Sequence, residues 1–495
     1  MNSLNTGHIS ISFFCLVVST WSFSLNLSAV RKSVFKIKAV SRDVNYVEPW
    51  LPKRQQRGSG TGFYIGNGKI LTNAHVVAQA KFLTVLRDGE DNPQVAKATF
   101  IAHDSDLAIL EVEDPSYFKG AKPLKFGGLP KLRGIVSTIG YPRGGEQISV
   151  TEGIVSRISY RRYVHSGYKK HILVQVDSAI NSGNSGGPVV QGDKVVGVAF
   201  QAFTRAENTG YIIPTPVVER FLTDIKDGVY DGHPDHGLIV MEGVMGHPAT
   251  RKYHKLKGSD GGVKVSHVSS YAPTHGYIFP RDVLLAINGQ PIGVDGKVRF
   301  QKERVNFRGI FDLAQMGDSV TFKLSRNGKV HYKKVPIKKS SPHPELGHTY
   351  PVFPRFVSYA GLVFTPLSRG YLKSWGRKWH KEAPLLLRYA FWYSRVIDRF
   401  SDVEDLVVFS TRLPDAVNRY ADIYKERIVD KINGVEIHSL DQIEGALRKG
   451  HPEFIVVDFW LEKSPMILPR RLADARDQDI AEKYKVRPRK WLEKE

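Results

Sequence analysis

Three short stretches hold side chains that could do chemistry together. Ile70-Leu-Thr-Asn-Ala-His-Val-Val77 ends an apolar run on a histidine, and His103-Asp-Ser-Asp-Leu-Ala-Ile-Leu110 leads an acid into another. Asn181-Ser-Gly-Asn-Ser-Gly-Gly-Pro188 surrounds a serine with glycines. A serine hydroxyl is a weak nucleophile at neutral pH and needs a base beside it to take its proton. Imidazole suits that task, and a carboxylate is needed to hold the ring in the right tautomer. Glycines on both sides of Asn184-Ser185 let backbone N–H groups converge on one point, where an oxyanion would need donors. Each stretch alone is weak, because a histidine or acid at a strand end is commonly structural and a glycine turn can be only a turn. The order His75, Asp106, Ser185 inside one β-rich region spells acyl transfer by a histidine-activated serine. Asp104 competes with Asp106 for the acid. Asp106 is favoured because it runs directly into an apolar strand, whereas Asp104 lies between His103 and Ser105.

Such a constellation needs a rigid frame. Short β-prone runs at 60–64, 69–72, 83–86, 107–112, 134–139, 172–176 and 195–200 are separated by glycine-containing turns. This pattern predicts a barrel or sandwich between Gly58 and about Pro216. Asn67-Gly68 is a hairpin signal, residues 215–225 have helical spacing that closes the domain, and Gly232-His-Pro-Asp-His236 reads as a linker. Two later segments, Asp282-Val-Leu-Leu-Ala-Ile-Asn-Gly-Gln-Pro-Ile292 and Arg427-Ile-Val-Asp-Lys-Ile-Asn-Gly-Val-Glu-Ile437, each drive an apolar strand into Ile-Asn-Gly. Asn and Gly can take φ > 0 there and turn the chain, so the pair predicts a duplicated domain. Residues 470–495 read as a charged surface helix or frayed tail.

Composition bounds the rest. The 495 residues point to about three domains at roughly 150 each. A 41% hydrophobic and 11% aromatic content excludes a wholly disordered chain. The single cysteine, Cys15, excludes a disulfide framework and any cysteine-built zinc or iron–sulfur site. A net charge of +22 would suit anionic partners, but the basic residues are scattered, which favours a solvated surface over a specific nucleic-acid site. His165, His171, His233, His236 and His247 show no His-x-x-x-His pairing with an acid and read as surface or loop histidines, so no metal and no cofactor is expected. Residues 9–21 are apolar but shorter than the roughly 20 needed to span a bilayer. With Ser22, Ser24, Ser28 and Ala29 following, residues 1–29 read first as a signal peptide for export to a periplasm or envelope. A Ser-rich, acid-free start keeps an organellar transit peptide (chloroplast or mitochondrion) open, and a buried helix is the third reading.

Ser59-Gly-Thr-Gly-Phe63, Leu71-Thr-Asn-Ala-His-Val-Val77, Ser105-Asp-Leu-Ala-Ile-Leu110, Thr138-Ile-Gly-Tyr-Pro142 and Gly183-Asn-Ser-Gly-Gly-Pro188 resemble the Deg/HtrA family of serine endoproteases. The resemblance runs from about residue 45 to the end. Asp295-Gly-Lys-Val-Arg-Phe-Gln-Lys-Glu-Arg304 and Gly361-Leu-Val-Phe-Thr-Pro-Leu367 are similar to the plant-type branch with two PDZ-like domains. It implies a mainly β chain, a chymotrypsin-like double β-barrel followed by two α+β PDZ-like domains. The expected divisions are a targeting segment (1–29), a protease domain (45–230), PDZ-like units (237–340 and 350–468) and a charged tail (469–495). The resemblance implies an ATP-independent endopeptidase of unfolded or damaged proteins, assembled from trimers, with a possible envelope association. It assigns the oxyanion hole to the N–H groups of Gly183 and Ser185, with Asn184 between them. It places Ile180, Ala199, Phe200 and Gln201 at the specificity pocket, whose uncharged side chains imply cleavage after small or medium apolar residues. The glutamine- or glycine-rich insertion of some bacterial members is absent. Neither later unit shows a Gly-Leu-Gly-Phe-type carboxylate loop; Lys255-Leu-Lys-Gly258 is the nearest candidate, and the second unit reads as an assembly element. The alternative function is a peptide-binding chaperone or scaffold whose protease site rests, because residues 177–184 must first form the oxyanion hole.

Overall fold

The protein is described from a computed structural model covering residues 30–202, 210–256, 261–339, 353–393 and 403–493, without the side chains of Gln201, Ala202 and Tyr393. The expected targeting segment and the Lys257-Gly258 half of the candidate carboxylate loop lie outside the described residues.

Strands β1 (Val34–Arg42), β2 (Gln55–Gly66), β3 (Lys69–Thr72), β4 (Ala80–Arg87), β5 (Gln94–Ala102) and β6 (Leu107–Val112) close into one barrel. A second barrel is closed by β7 (Ile135–Gly140), β8 (Ser149–Arg162), β9 (Lys170–Val176), β10 (Pro188–Gln191), β11 (Lys194–Ala202) and β12 (Gly210–Pro214). Alternation of side chains along a strand explains how the barrels meet. On β6, Ala108 and Leu110 fill the first barrel, while Leu107 and Ile109 join the core shared with the second. Ile70 and Leu71 divide in the same way on β3. Both faces are buried, which is why these strands read as unbroken apolar runs. Between β2 and β3, Asn67 and Gly68 both take positive φ, as the hairpin signal requires.

The expected start of the protease domain at residue 45 is corrected. β1 pairs with both β2 and β4 and is needed to close the first barrel. Its sequence, Val-Phe-Lys-Ile-Lys-Ala-Val-Ser-Arg, carries lysines at alternate positions, which broke the apolar run that would have marked a strand.

After α1 (Ala74–Val77) and α2 (Thr215–Asp224), the chain builds two α+β units. The first orders its strands Leu238–Met241, Val263–Val268, Val283–Ile287, Ser319–Arg326 and Lys329–Pro336 in one sheet. Its core is continuous with that of the second barrel. Helix Phe307–Asp312 docks against β9, where a Cβ on Gly309 would lie 2.7 Å from the Ile172 side chain. The second unit is a larger sheet with its own core.

The two Ile-Asn-Gly turns are built alike. Asn288 and Asn433 have φ of 46° and 50°. Each donates its backbone N–H to a carbonyl of a neighbouring strand, Thr321 and Val456 respectively, and accepts the same residue's N–H on its side-chain oxygen at 2.9 Å. Of the two readings of residues 470–495, a helix forms rather than a frayed tail, but it is packed rather than simply lying on the surface. Helix Arg470–Lys483 buries Ala473, Ile480 and Ala481, and Lys490–Trp491 adds a strand beside Phe356–Val357. Three buried apolar residues on a helix otherwise rich in Arg and Asp left too weak a stripe to show that it packs. Among the described residues no helix is long and apolar enough to cross a membrane.

Candidate active site

His75 lies on α1, directly after β3, and Asp106 ends the turn 103–106 between β5 and β6. Asp106 holds φ of 55°, a left-handed conformation that is uncommon outside glycine and persists where the surroundings over-determine it. Here they do. The Asn73 side chain donates to the Asp106 carbonyl at 2.9 Å, and the His75 backbone N–H donates to Oδ1 at 2.7 Å. Oδ2 lies 2.7 Å from His75 Nδ1. An ionised carboxylate only accepts, so Nδ1 carries the hydrogen and Nε2 is left as a base. Asp106 is fully buried whereas the His75 side chain keeps 33% of its surface exposed. Burial works against charge on the imidazole, but the Asp106 charge and hydrogen bond outweigh it and raise its pKa above 6.5. Burial likewise opposes ionisation of Asp106; its two neighbouring histidines and the bonds from His75 prevail and lower its pKa.

Ser185 sits in the loop between β9 and β10. Gly183 and Gly186 have φ of 103° and 86°, and a Cβ on them would lie 2.4 Å from the Tyr141 carbonyl and 2.1 Å from the Thr61 carbonyl. Only glycine fits either place. Thr61, from Ser59-Gly-Thr-Gly-Phe63 on β2, latches the loop: its N–H donates to Ser185 O and its hydroxyl to Gly183 O, both at 2.8 Å. The Tyr141 N–H then donates to that hydroxyl at 2.9 Å. Among the described residues, the N–H groups of Gly183 and Ser185 meet no acceptor, while Asn184 N–H donates to Asn181 O at 3.0 Å.

A bulge between Ala199 and Gln201 makes Phe200 the extra residue of β11 against β12. The Phe200 carbonyl accepts the Ser185 hydroxyl at 3.3 Å, and its ring lies 6.4 Å from the His75 ring, centre to centre. No hydrogen bond joins Ser185 to His75 among the described residues. The hydroxyl is instead held by the bulge. Ile180, Ala199 and Phe200 are buried and uncharged; the Gln201 side chain lies outside the described residues.

Several polar groups near this site have no signal in the sequence. His103 Nδ1 lies 2.9 Å from His165 Nε2, and the His165 ring is 6.2 Å from that of His75. Burial pushes His165 down to about 4. The reading of His171 and His233 as surface or loop histidines is corrected, since both are buried. His171 Nδ1 pairs with the Asp312 carboxylate, and its Nε2 is 2.8 Å from the Asp104 carbonyl. His233 Nδ1 meets the Asp312 carbonyl at 3.0 Å, and its backbone N–H donates to Asp104 Oδ2 at 2.9 Å. Tyr230 donates its hydroxyl to the other Asp104 oxygen. Asp104 therefore ties the turn to the 230–233 segment and makes no bond to His75. The cluster was invisible because Asp312 is remote in the chain from every residue it meets.

His171, His233 and Asp312 bring nitrogen and oxygen donors within 4.8 Å of one another, a set of types a divalent metal accepts. Both ring nitrogens of His171 are already hydrogen bonded, so a metal would have to displace those bonds.

Comparison with known proteins gives the family. A trypsin-like peptidase domain matches residues 60–198, and a PDZ domain matches residues 345–490. Protease Do-like 4, mitochondrial, of Arabidopsis thaliana is 35% identical over 87% of this chain and 79% of its own length. Protease Do-like 2, chloroplastic, of the same plant is 34% identical over 91% and 73%. Among solved structures, the HtrA-type protease AlgW with a tripeptide is 21% identical, covers 65% of this chain and 98% of its own, and has a TM-score of 0.49. With two closed barrels, a peptidase match, a PDZ match and relatives of this identity and coverage, the chain belongs to the Deg/HtrA family of serine endopeptidases.

Proposed function

We propose that this serine endopeptidase cuts peptide bonds with Ser185 as nucleophile, His75 as general base and Asp106 as the acid that orients it. The observation that carries the assignment is the double grip of Asp106 on His75, one carboxylate oxygen on the backbone N–H and the other on Nδ1. Rotation of the Ser185 hydroxyl off Phe200 brings it to Nε2, which takes its proton as Oγ attacks the scissile carbonyl. The Gly183 and Ser185 N–H groups receive the oxyanion, and the imidazolium returns its proton to the leaving amine. Water then hydrolyses the acyl-enzyme with His75 again acting as base.

The proposed substrates are unfolded polypeptides cut after small or medium apolar residues, for which the uncharged walls Ile180, Ala199 and Phe200 are the support. Gln201 completes that pocket in this reading. We take residues 237–340 as a PDZ-like unit, in keeping with its sheet and with the Asn turn it shares with the second unit. We take the chain to assemble as a homo-oligomer built from trimers, for which its family membership is the support. The mitochondrial and chloroplastic relatives support an organellar site of action over the periplasm or envelope. N-terminal sequencing of the mature protein tests targeting. A fluorophosphonate probe and fluorescent casein test the chemistry together: wild type is expected to react with both, and Ser185→Ala with neither. Labelling that survives Ser185→Ala refutes the assignment.

A further inference from the structure

We propose that His171 is a positioning residue for the catalytic acid, clamped from the first α+β unit by Asp312. The inference rests on the triad reading above. It starts from hydrogen-bond chemistry: one ring nitrogen of His171 faces the Asp312 carboxylate and the other faces the Asp104 carbonyl at 2.8 Å. Both partners only accept, so both nitrogens carry hydrogen and the ring is an imidazolium. Asp312 neutralises that charge in a fully buried setting. Burial disfavours the charge, but the Asp312 charge and hydrogen bond, with help from Asp104, outweigh it and hold the pKa above the usual value.

What the ring holds is the turn that presents Asp106. Asp104 lies two residues before the acid, in the same four-residue turn, and Asp106 sits in the left-handed region. Asp tolerates that conformation better than most residues, and here its neighbours hold it there. The Asp104 backbone carbonyl is fixed by His171, and its carboxylate by the Tyr230 hydroxyl and the N–H groups of Ser105 and His233. On the other side of the ring, Tyr163 packs edge-on against His171 at 4.8 Å between centroids. Tyr163 lies 4.8 Å from Phe200, whose carbonyl holds Ser185. One histidine thus braces the acid turn directly and touches the nucleophile's support through a single ring.

The clamp also reports on docking of the first α+β unit. Asp312 ends the helix whose Gly309 lies against Ile172, the residue next to His171. Undocking that helix removes both the counter-charge and the hydrogen-bond partner of His171 Nδ1, so the ring loses one of its two anchors. The titratable groups facing His171 are Asp312, Asp104, His233 and Tyr163, with the Lys169–Asp235 pair nearby. His233 is neutral near pH 7, held down to about 4 mainly by burial and then by His171.

Two amides separate positioning from packing. In His171→Gln the amide nitrogen sits where Nε2 does and can still donate to the Asp104 carbonyl. In His171→Asn it sits where Nδ1 does, keeping the Asp312 bond and releasing Asp104. With the full chain and fluorescent casein, His171→Gln should keep kcat within about threefold, while His171→Asn loses about tenfold or more in kcat at unchanged KM, the scale of a small misplacement of a catalytic group. A purely structural role predicts equal losses or the reverse order, and either result overturns the proposal. Asp312→Asn gives an independent readout if both variants fold poorly. An amide at 312 can donate to Nδ1 of a neutral ring, so Nε2–H still reaches Asp104 without a cation. Wild-type kcat should fall on the alkaline side as His171 loses its proton, and Asp312→Asn should abolish that fall; an unchanged alkaline limb overturns the proposal. Ser185→Ala in the same series keeps the two readings apart. If it remains active the triad fails, whereas if it is silent and His171→Asn turns over like wild type, only the clamp fails.

Discussion

Asp106→Asn changes one atom type without changing shape, and the structure dictates which way the amide must face. Both carboxylate oxygens are used, Oδ1 by the His75 backbone N–H and Oδ2 by Nδ1, each at 2.7 Å. The backbone N–H can only donate, so the one remaining oxygen stays with it and the new NH2 group faces Nδ1. An N–H pointing at Nδ1 forces the hydrogen of the neutral ring onto Nε2, the atom that must accept the Ser185 proton. The charge that stabilises the imidazolium is lost as well. An orienting acid replaced in this way costs about four orders of magnitude in turnover, roughly 5.4 kcal/mol. The assay is casein hydrolysis at pH 7.5 with fluorophosphonate labelling in parallel, and thermal unfolding as the control for folding. Asp104→Asn serves as the comparison: it weakens the accepting oxygens for Tyr230 and His233 but leaves the His75 pair intact. Asp106→Asn retaining more than a tenth of wild-type turnover, with Asp104→Asn inactive, would refute the reasoning and move the catalytic acid to Asp104.

The raised pKa of His75 predicts an acid limb. The base form is required, so labelling by the fluorophosphonate falls as pH drops through a value above 6.5; a midpoint below 6 would contradict the ion pair. Stability carries a separate acid dependence through His233, 4% exposed, whose pKa is lowered to about 4. A group with a depressed folded pKa contributes stability above its unfolded value, so this contribution is complete above about 6.5 and lost as pH falls towards 4, on the order of 3 kcal/mol. Urea unfolding at pH 7 and pH 4.5, compared with His233→Gln, measures it, and equal pH slopes in both proteins would count against it. Ile480 is fully buried under the second unit's sheet, so Ile480→Ala should cost about 2–5 kcal/mol. A melting temperature unchanged by that substitution would mean the C-terminal helix is not integral.

How much was legible depended on whether a signal was local. β3 and β6 were readable because burial on both faces makes each a short apolar run, and their ends sit where His75 and Asp106 are needed. The helix Thr215–Asp224 and the Asn-Gly turns were readable from periodicity and from the φ > 0 those residues tolerate. β1 was not, because Lys36 and Lys38 break its apolar run although Lys36 is itself buried; the C-terminal helix was legible as a helix but not as a packed one, because its arginines and acids leave only Ala473, Ile480 and Ala481 inward. The bulge at Phe200 was invisible for a different reason: a one-residue mismatch belongs to a pair of strands and is written in neither.

By itself the sequence named the candidate reacting groups: which hydroxyl, imidazole and carboxylate could cooperate, and which glycines had to free the backbone around them. Those are properties of side-chain type and short-range conformation. Only the tertiary structure decided that Asp104 braces the turn instead of orienting the ring, that the Ser185 hydroxyl rests on Phe200, and that His171 is buried between Asp312 and the Asp104 carbonyl. Each of these depends on what fills the space beside a group, and protonation and rotamer are settled by neighbours such as Asp312 that chain order holds far away.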